Sequence, residues 1–86
     1  MTIANNLYEL TVIVRCGSLS GAAAELGLSQ SAVSRHLSQL EDELGTTLLD
    51  RGADGVVLTE NGRFAYQRGL ELAQVGEDLL AGLERL

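Results

Sequence analysis

Residues 29–45, SQSAVSRHLSQLEDELG, constrain what the chain can fold into more than any other stretch. Val33, Leu37, Leu40 and Leu44 recur at steps of four, three and four, the spacing that gathers apolar side chains on one side of an α-helix. Ser31, Arg35 and Ser38 fall on the opposite side, with Gln30 and Ser34 towards its edge. Ser29 is an N-cap, because its hydroxyl can accept an orphan backbone N–H of the first turn. Gly45 stops the helix, since glycine enters the left-handed conformation without a Cβ penalty. The first two turns therefore present a polar, hydrogen-bonding outer surface containing one arginine, which is what reading base edges in a major groove requires.

The preceding stretch, LSGAAAELG at residues 19–27, predicts a short alanine-rich helix with Ser20 as N-cap and Gly27 as the residue that ends it. Ala23, Gly27 and Val33 lie four and six residues apart. A small side chain at Ala23 lets the next helix approach, Gly27 turns the chain sharply, and Val33 packs into the angle. Those are the demands of a helix-turn-helix.

On either side the pattern continues. Residues 2–16 predict a first helix, with Ile3, Leu7, Leu10 and Val14 at helical spacing, Ile13 and Tyr8 widening the apolar face, and Gly17 ending it. Leu48-Leu49 and Val56-Val57-Leu58 are short β-like runs around Gly52-Ala53-Asp54-Gly55, which is turn material. They predict a hairpin, a wing beside the recognition helix, with Arg51 at its base. Thr59 caps a fourth helix that no proline interrupts before Leu86, about 40 Å long at 1.5 Å per residue. Ala65, Leu72, Val75, Leu79, Leu83 and Leu86 share one of its faces, and Leu72, Leu79 and Leu86 are seven apart, a coiled-coil-like repeat. Gly62, Gly69 and Gly76 are also seven apart. Each interior glycine costs a helix about 1 kcal/mol relative to alanine, so their shared register predicts close packing. Three short helices cannot cover the whole stripe, and a second copy of the chain is the economical cover. The fold class is thus mostly α: a three-helix body and hairpin wing over residues 1–58, and a long linker and dimerisation helix over 59–86.

Composition pulls the other way. Six arginines and no lysines face twelve acids, a net charge of −6, whereas DNA binding draws on cations that displace counterions from phosphates. Between residues 29 and 58 only Arg35 and Arg51 stand against Glu41, Asp42, Glu43, Asp50 and Asp54. Local motif outranks total charge, and DNA remains the expected partner. Catalysis and metal binding find no support. His36 is the only histidine and Cys16 the only cysteine, so no metal-ligand cluster forms. The serines near His36 all sit on one helix with no orienting acid, and there is no glycine-rich phosphate loop. Neither an enzyme nor a cofactor is expected. Cys16 is expected to be buried near the end of the first helix. No stretch of 18 apolar residues spans a membrane and no secretory leader is evident, which points to the cytoplasm.

The run GSLSGAAAELGLSQSAVSRHLSQLEDELGTTLLDR, followed by VVLTENG, resembles the N-terminal DNA-binding domain of the LysR-type transcriptional regulators. The resemblance rests on Gly17-Ser18, Ala22-Ala23, Leu26, residues 29–35, Leu40-Glu41, Leu44-Gly45, Leu48, Arg51 and Leu58-Thr59-x-x-Gly62. It implies a winged helix-turn-helix, double-stranded DNA as partner, a homodimer through the fourth helix (Leu72, Val75, Leu79, Leu83, Leu86), and work at the nucleoid of a bacterial cytoplasm. Gln30, Ser31, Ser34 and Arg35 are the expected base readers, with Ser38 on the same face. Ser20, Arg51 and His36 are the expected backbone contacts. For Arg51 an ion pair with Asp50 or Asp54 competes with that role, and for His36 a solvated or wing-contacting position does. The family usually carries an aromatic where Leu49 stands and often a basic residue where Ser38, Asp54 and Val57 stand. Its chains continue past the equivalent of Leu86 into a ligand-sensing domain, so no small-molecule site is expected within these residues. The competing reading is an acidic winged-helix interaction module that pairs through the fourth helix and does not hold DNA tightly alone. The winged domain of molybdate-sensing regulators shares the topology but fits the SQSAVSR run less well.

Overall fold

Capping residues set where each helix begins and ends. The computed structural model describes residues 2–52 and 55–86, with residues 2, 51 and 52 as backbone only. Helix α1 (Thr2–Cys16) ends at Gly17, which at φ 77° occupies the left-handed region. Helix α2 (Leu19–Leu26) follows at once, and its N-cap is Ser18 rather than Ser20. Ser18 is extended, and its Oγ accepts the Gly21 N–H at 3.0 Å. Gly17 has already reversed the chain by then, so the first serine past the turn takes the cap and Ser20 falls inside the first turn. Gly27, at φ 69°, closes α2, with Leu28 N–H bonding to Ala23 O at 3.0 Å. Helix α3 (Gln30–Leu44) opens on Ser29, whose Oγ accepts the Ala32 N–H at 3.1 Å, and closes on Gly45.

The three helices enclose a core of Leu10, Val12, Ile13, Ala22, Ala23, Val33, Leu37 and Leu40, to which Leu48, Leu49 and Ala65 add from outside the body. Val33 and Leu40 are completely buried, at about 1.5–3 kcal/mol for each such side chain. Three apolar residues depart from the expected faces. Ile3 and Tyr8 of α1 stay exposed. Leu44, in the last turn of α3, is 45% exposed. It faces a surface concavity with Ile3, Leu7 and Phe64 instead. Cys16 is half-buried, with its thiol 3.9 Å from Glu25 Oε1. Asn6 is the misfit: only 4% exposed, its Nδ2 has no partner among the described residues.

Strands β1 (Leu49–Gly52) and β2 (Gly55–Leu58) pair antiparallel in the register Leu49↔Leu58 to Gly52↔Gly55, the expected hairpin. Asp54, expected at its tip, lies outside the described residues. Polar bonds tie the hairpin's base to both neighbouring helices. Glu41 Oε2 accepts the N–H groups of Leu48 at 2.7 Å and Leu49 at 3.3 Å, and Thr59 N–H bonds to Leu48 O at 3.0 Å. Thr59 is also the N-cap of helix α4 (Glu60–Glu84), its Oγ1 accepting the Gly62 N–H at 2.9 Å.

Two of the heptad-spaced glycines do pack closely. A Cβ on Gly62 would lie 1.9 Å from Leu48 O, and one on Gly69 would lie 2.6 Å from Thr11 Cγ2. Gly76 meets nothing within 4 Å, because it lines an open concavity between α4 and α1, with Asn5, Tyr8 and Glu9 across from it. The molecule is a mostly helical winged helix-turn-helix, drawn out by α4 to 47 × 26 × 22 Å.

Candidate nucleic-acid interface

Ridge-to-core packing fixes the roll of α3. With Val33, Leu37 and Leu40 turned inward, Gln30, Ser31, Arg35, Ser38 and Gln39 are exposed and Ser34 is half-buried at the edge. Ser31 Oγ lies 3.2 Å from the capping Ser29 Oγ. The Arg35 guanidinium has no hydrogen bond or ion pair among the described residues, so its five donors are available in a fixed fork. A free fork above a row of small hydroxyls and an amide is suited to bidentate contact with a guanine edge, and Gln30 suits an adenine. Gln39 shares this surface and was not singled out by the sequence. Its signal was the 3.6-residue period continued one turn further.

The other expected contacts lie on separate elements. Ser20 is exposed on α2, its Oγ 3.5 Å from Ser18 Oγ. Arg51 sits in β1 opposite Val56, and its side chain lies outside the described residues. His36 is neither fully solvated nor turned to the wing. Its Nδ1 lies 2.8 and 3.0 Å from the two carboxylate oxygens of Glu9 on α1.

Charge is distributed less adversely than composition suggests. Glu41 directs its carboxylate at the Leu48 and Leu49 amides rather than at the outer face. Arg15 pairs with Glu25 across the ends of α1 and α2, one bond measuring 2.9 Å. The hydrogen bond to Arg15 holds the Glu25 carboxyl below its ordinary range. Arg63 donates to Leu58 O at 3.4 Å, and Arg68 pairs with Glu71 at 3.1 Å.

On α4 the expected seam is uncovered within one chain. Leu72, Val75, Leu79, Leu83 and Leu86 are all exposed, Val75 by 66% and Leu79 by 62%. A concavity lined by Ile3, Leu7, Leu72 and Val75 runs beside it between α1 and α4. Among the described residues no helix is long and apolar enough to cross a membrane.

Residues 4–63 match the family described as "Bacterial regulatory helix-turn-helix protein, lysR family". The chain is 46% identical over 70 residues to the HTH-type transcriptional activator TtdR of Escherichia coli K12, covering 81% of this chain and 23% of that protein. It is 46% identical over 72 residues to the HTH-type transcriptional activator BauR of Pseudomonas aeruginosa, covering 84% and 21%. The chain thus spans under a quarter of the length of these relatives. Among solved structures, the BenM DNA-binding domain in complex with catB site 1 DNA superposes with a TM-score of 0.86 at 32% identity, covering 95% of this chain and 92% of that one. Sequence and fold agree over nearly all of the chain, and it belongs to the LysR family of bacterial helix-turn-helix regulators.

Proposed function

We propose that this chain is the sequence-specific DNA-binding part of a LysR-type transcriptional regulator and that it binds double-stranded DNA as a homodimer in a bacterial cytoplasm, at the nucleoid. The observation that carries this reading is the outer face of α3, where Arg35, without a partner among the described residues, stands beside exposed Gln30, Ser31 and Ser38. Gln30, Ser31, Ser34 and Arg35 read bases, with Ser38 on the same face. Ser20, Arg51 and His36 contact the backbone, which positions the helix without specifying sequence. The solved complex of the similar BenM domain with DNA supports the same partner. Residues 1–58 form the reading unit, and residues 59–86 pair two copies through Leu72, Val75, Leu79, Leu83 and Leu86. The exposed α4 stripe supports that pairing. The role is binding rather than catalysis.

Selection from random duplex DNA followed by mobility shift tests this reading. A recurring sequence enriched by the parent and lost with Arg35→Ala is the expected result. The net charge of −6 favours one alternative, an interaction module that dimerises through α4 without holding DNA. Failure to enrich any sequence at low salt would select it.

A further inference from the structure

His36 joins the recognition helix to α1. Both oxygens of Glu9 approach its Nδ1, at 2.8 and 3.0 Å, and the two side chains are only 25% and 12% exposed. A ring nitrogen facing a carboxylate must carry the proton, since the carboxylate only accepts. Glu9 therefore fixes both the tautomer and the orientation of the ring. Nε2 is left without a partner among the described residues and is not a buried orphan. With Nδ1–H committed, Nε2 is an acceptor when the ring is neutral and a donor when the ring is charged. Only the charged ring can donate to a phosphate.

The position suits such a contact. His36 lies about 100° round the helix from Arg35 and about 60° from Gln39 at 3.6 residues per turn. A recognition helix in the major groove has phosphate backbones along both flanks. We propose that Glu9 is a positioning residue for DNA binding: it holds His36 so that Nε2 contacts a backbone phosphate beside the groove, a contact that forms only with the ring protonated. This holds only if the chain binds DNA as proposed above.

Few ionisable groups surround the ring. Glu9 faces it from α1. Helix α2 carries only Glu25, which is taken up by Arg15. On α3, Arg35 precedes it and Glu43 lies about two turns on. From α4, Glu77 shares a surface concavity with Glu9. His36 is the only histidine in the chain.

The test is fluorescence anisotropy on the full chain with its selected duplex, titrated with salt at about pH 5.5 and about pH 8. The parent should bind severalfold tighter at the lower pH, and its slope of log affinity against log salt should steepen there by up to about 0.9 per subunit. His36→Gln should erase both differences. Glu9→Leu removes a negative charge, so a field effect alone would tighten binding. Positioning demands the opposite, a severalfold weakening at the lower pH. Glu9→Gln, whose side-chain oxygen still accepts from Nδ1–H, should retain most of the affinity, and Glu9→Leu should add nothing to His36→Gln. Circular dichroism checks that each variant is folded. Should Glu9→Leu fail to fold, Glu9→Gln against His36→Gln carries the comparison, and equal losses overturn the proposal. A salt slope unchanged by pH in a selectively binding parent, or tighter binding by Glu9→Leu, also overturns it while leaving the DNA-binding reading intact. No selective binding by the parent at either pH overturns both.

Discussion

A buried amide donor without an acceptor forfeits its hydration and receives nothing in return, and Asn6 Nδ2 is in that position among the described residues. Asn6→Leu, similar in volume and apolar, is expected to raise stability by about 1–3 kcal/mol, read as a higher urea midpoint. A lower midpoint would mean that the amide does useful work in the core. On the outer face of α3, proposed to read bases, the expectation runs the other way. Arg35→Ala should remove about 1–3 kcal/mol of discrimination at one base pair with no change in the melting curve, because the side chain is exposed. Gln30→Ala should change the preference at a different base pair. If both variants enrich the same sequences as the parent, α3 is not the reading helix. The exposed polar face of α3 was legible in the sequence because it is the complement of a core stripe. The His36–Glu9 contact joins residues 27 apart on two helices, and no period or motif links them. Glu41 was likewise legible as a charge and illegible as an acceptor for the Leu48 and Leu49 amides, since that bond depends on how β1 meets α3.

Among the elements, local chemistry made the ends legible. Ser29, Gly45 and Thr59 cap as their sequence contexts predict, whereas two serines so close in sequence left the start of α2 to be decided by the left-handed turn at Gly17. The long helix shows how far periodicity reaches. Heptad spacing identified Gly62, Gly69 and Gly76 as one register, but only Gly62 and Gly69 meet the body closely, while Gly76 lines an open concavity beside α1. Gly62→Ala should therefore destabilise the fold strongly, because its Cβ would meet the backbone carbonyl of Leu48 at 1.9 Å, and backbone cannot step aside as a flexible side chain can. Gly76→Ala should stabilise α4 by about 1 kcal/mol in the free chain. If the same change weakens dimerisation in sedimentation, the partner helix approaches at Gly76. Leu79→Glu places a charge in the exposed stripe and should yield monomers that keep their helical circular dichroism. An unchanged dimer would move the interface off this face.

Over the whole molecule the governing quantity is charge, and it was fully legible in composition while its placement was not. Of the six arginines, Arg15 and Arg68 are spent on Glu25 and Glu71. Arg35 has no partner among the described residues, Arg51 stands in the wing, Arg63 at the start of α4 is held by one bond to Leu58 O, and Arg85 lies at the far end of α4. The slope of log affinity against log salt falls by about 0.9 for each neutralised phosphate on duplex DNA. With so few cations per subunit, and with exposed Asp42 and Asp50 opposing them, binding should be modest in strength and shallow in slope for a winged-helix dimer. Asp54→Arg tests the cause. It replaces a negative charge in the hairpin loop by a positive one, and the loop's contacts, if any, are with phosphates, which carry no sequence information directly. Affinity should rise for selected and random duplexes by the same factor, the salt slope should steepen, and the ranking of sequences should not move. A gain confined to the selected sequence would mean that the loop reads bases. No gain at all would mean that it does not approach the duplex, and phosphate binding would then rest on α3 and the start of α4.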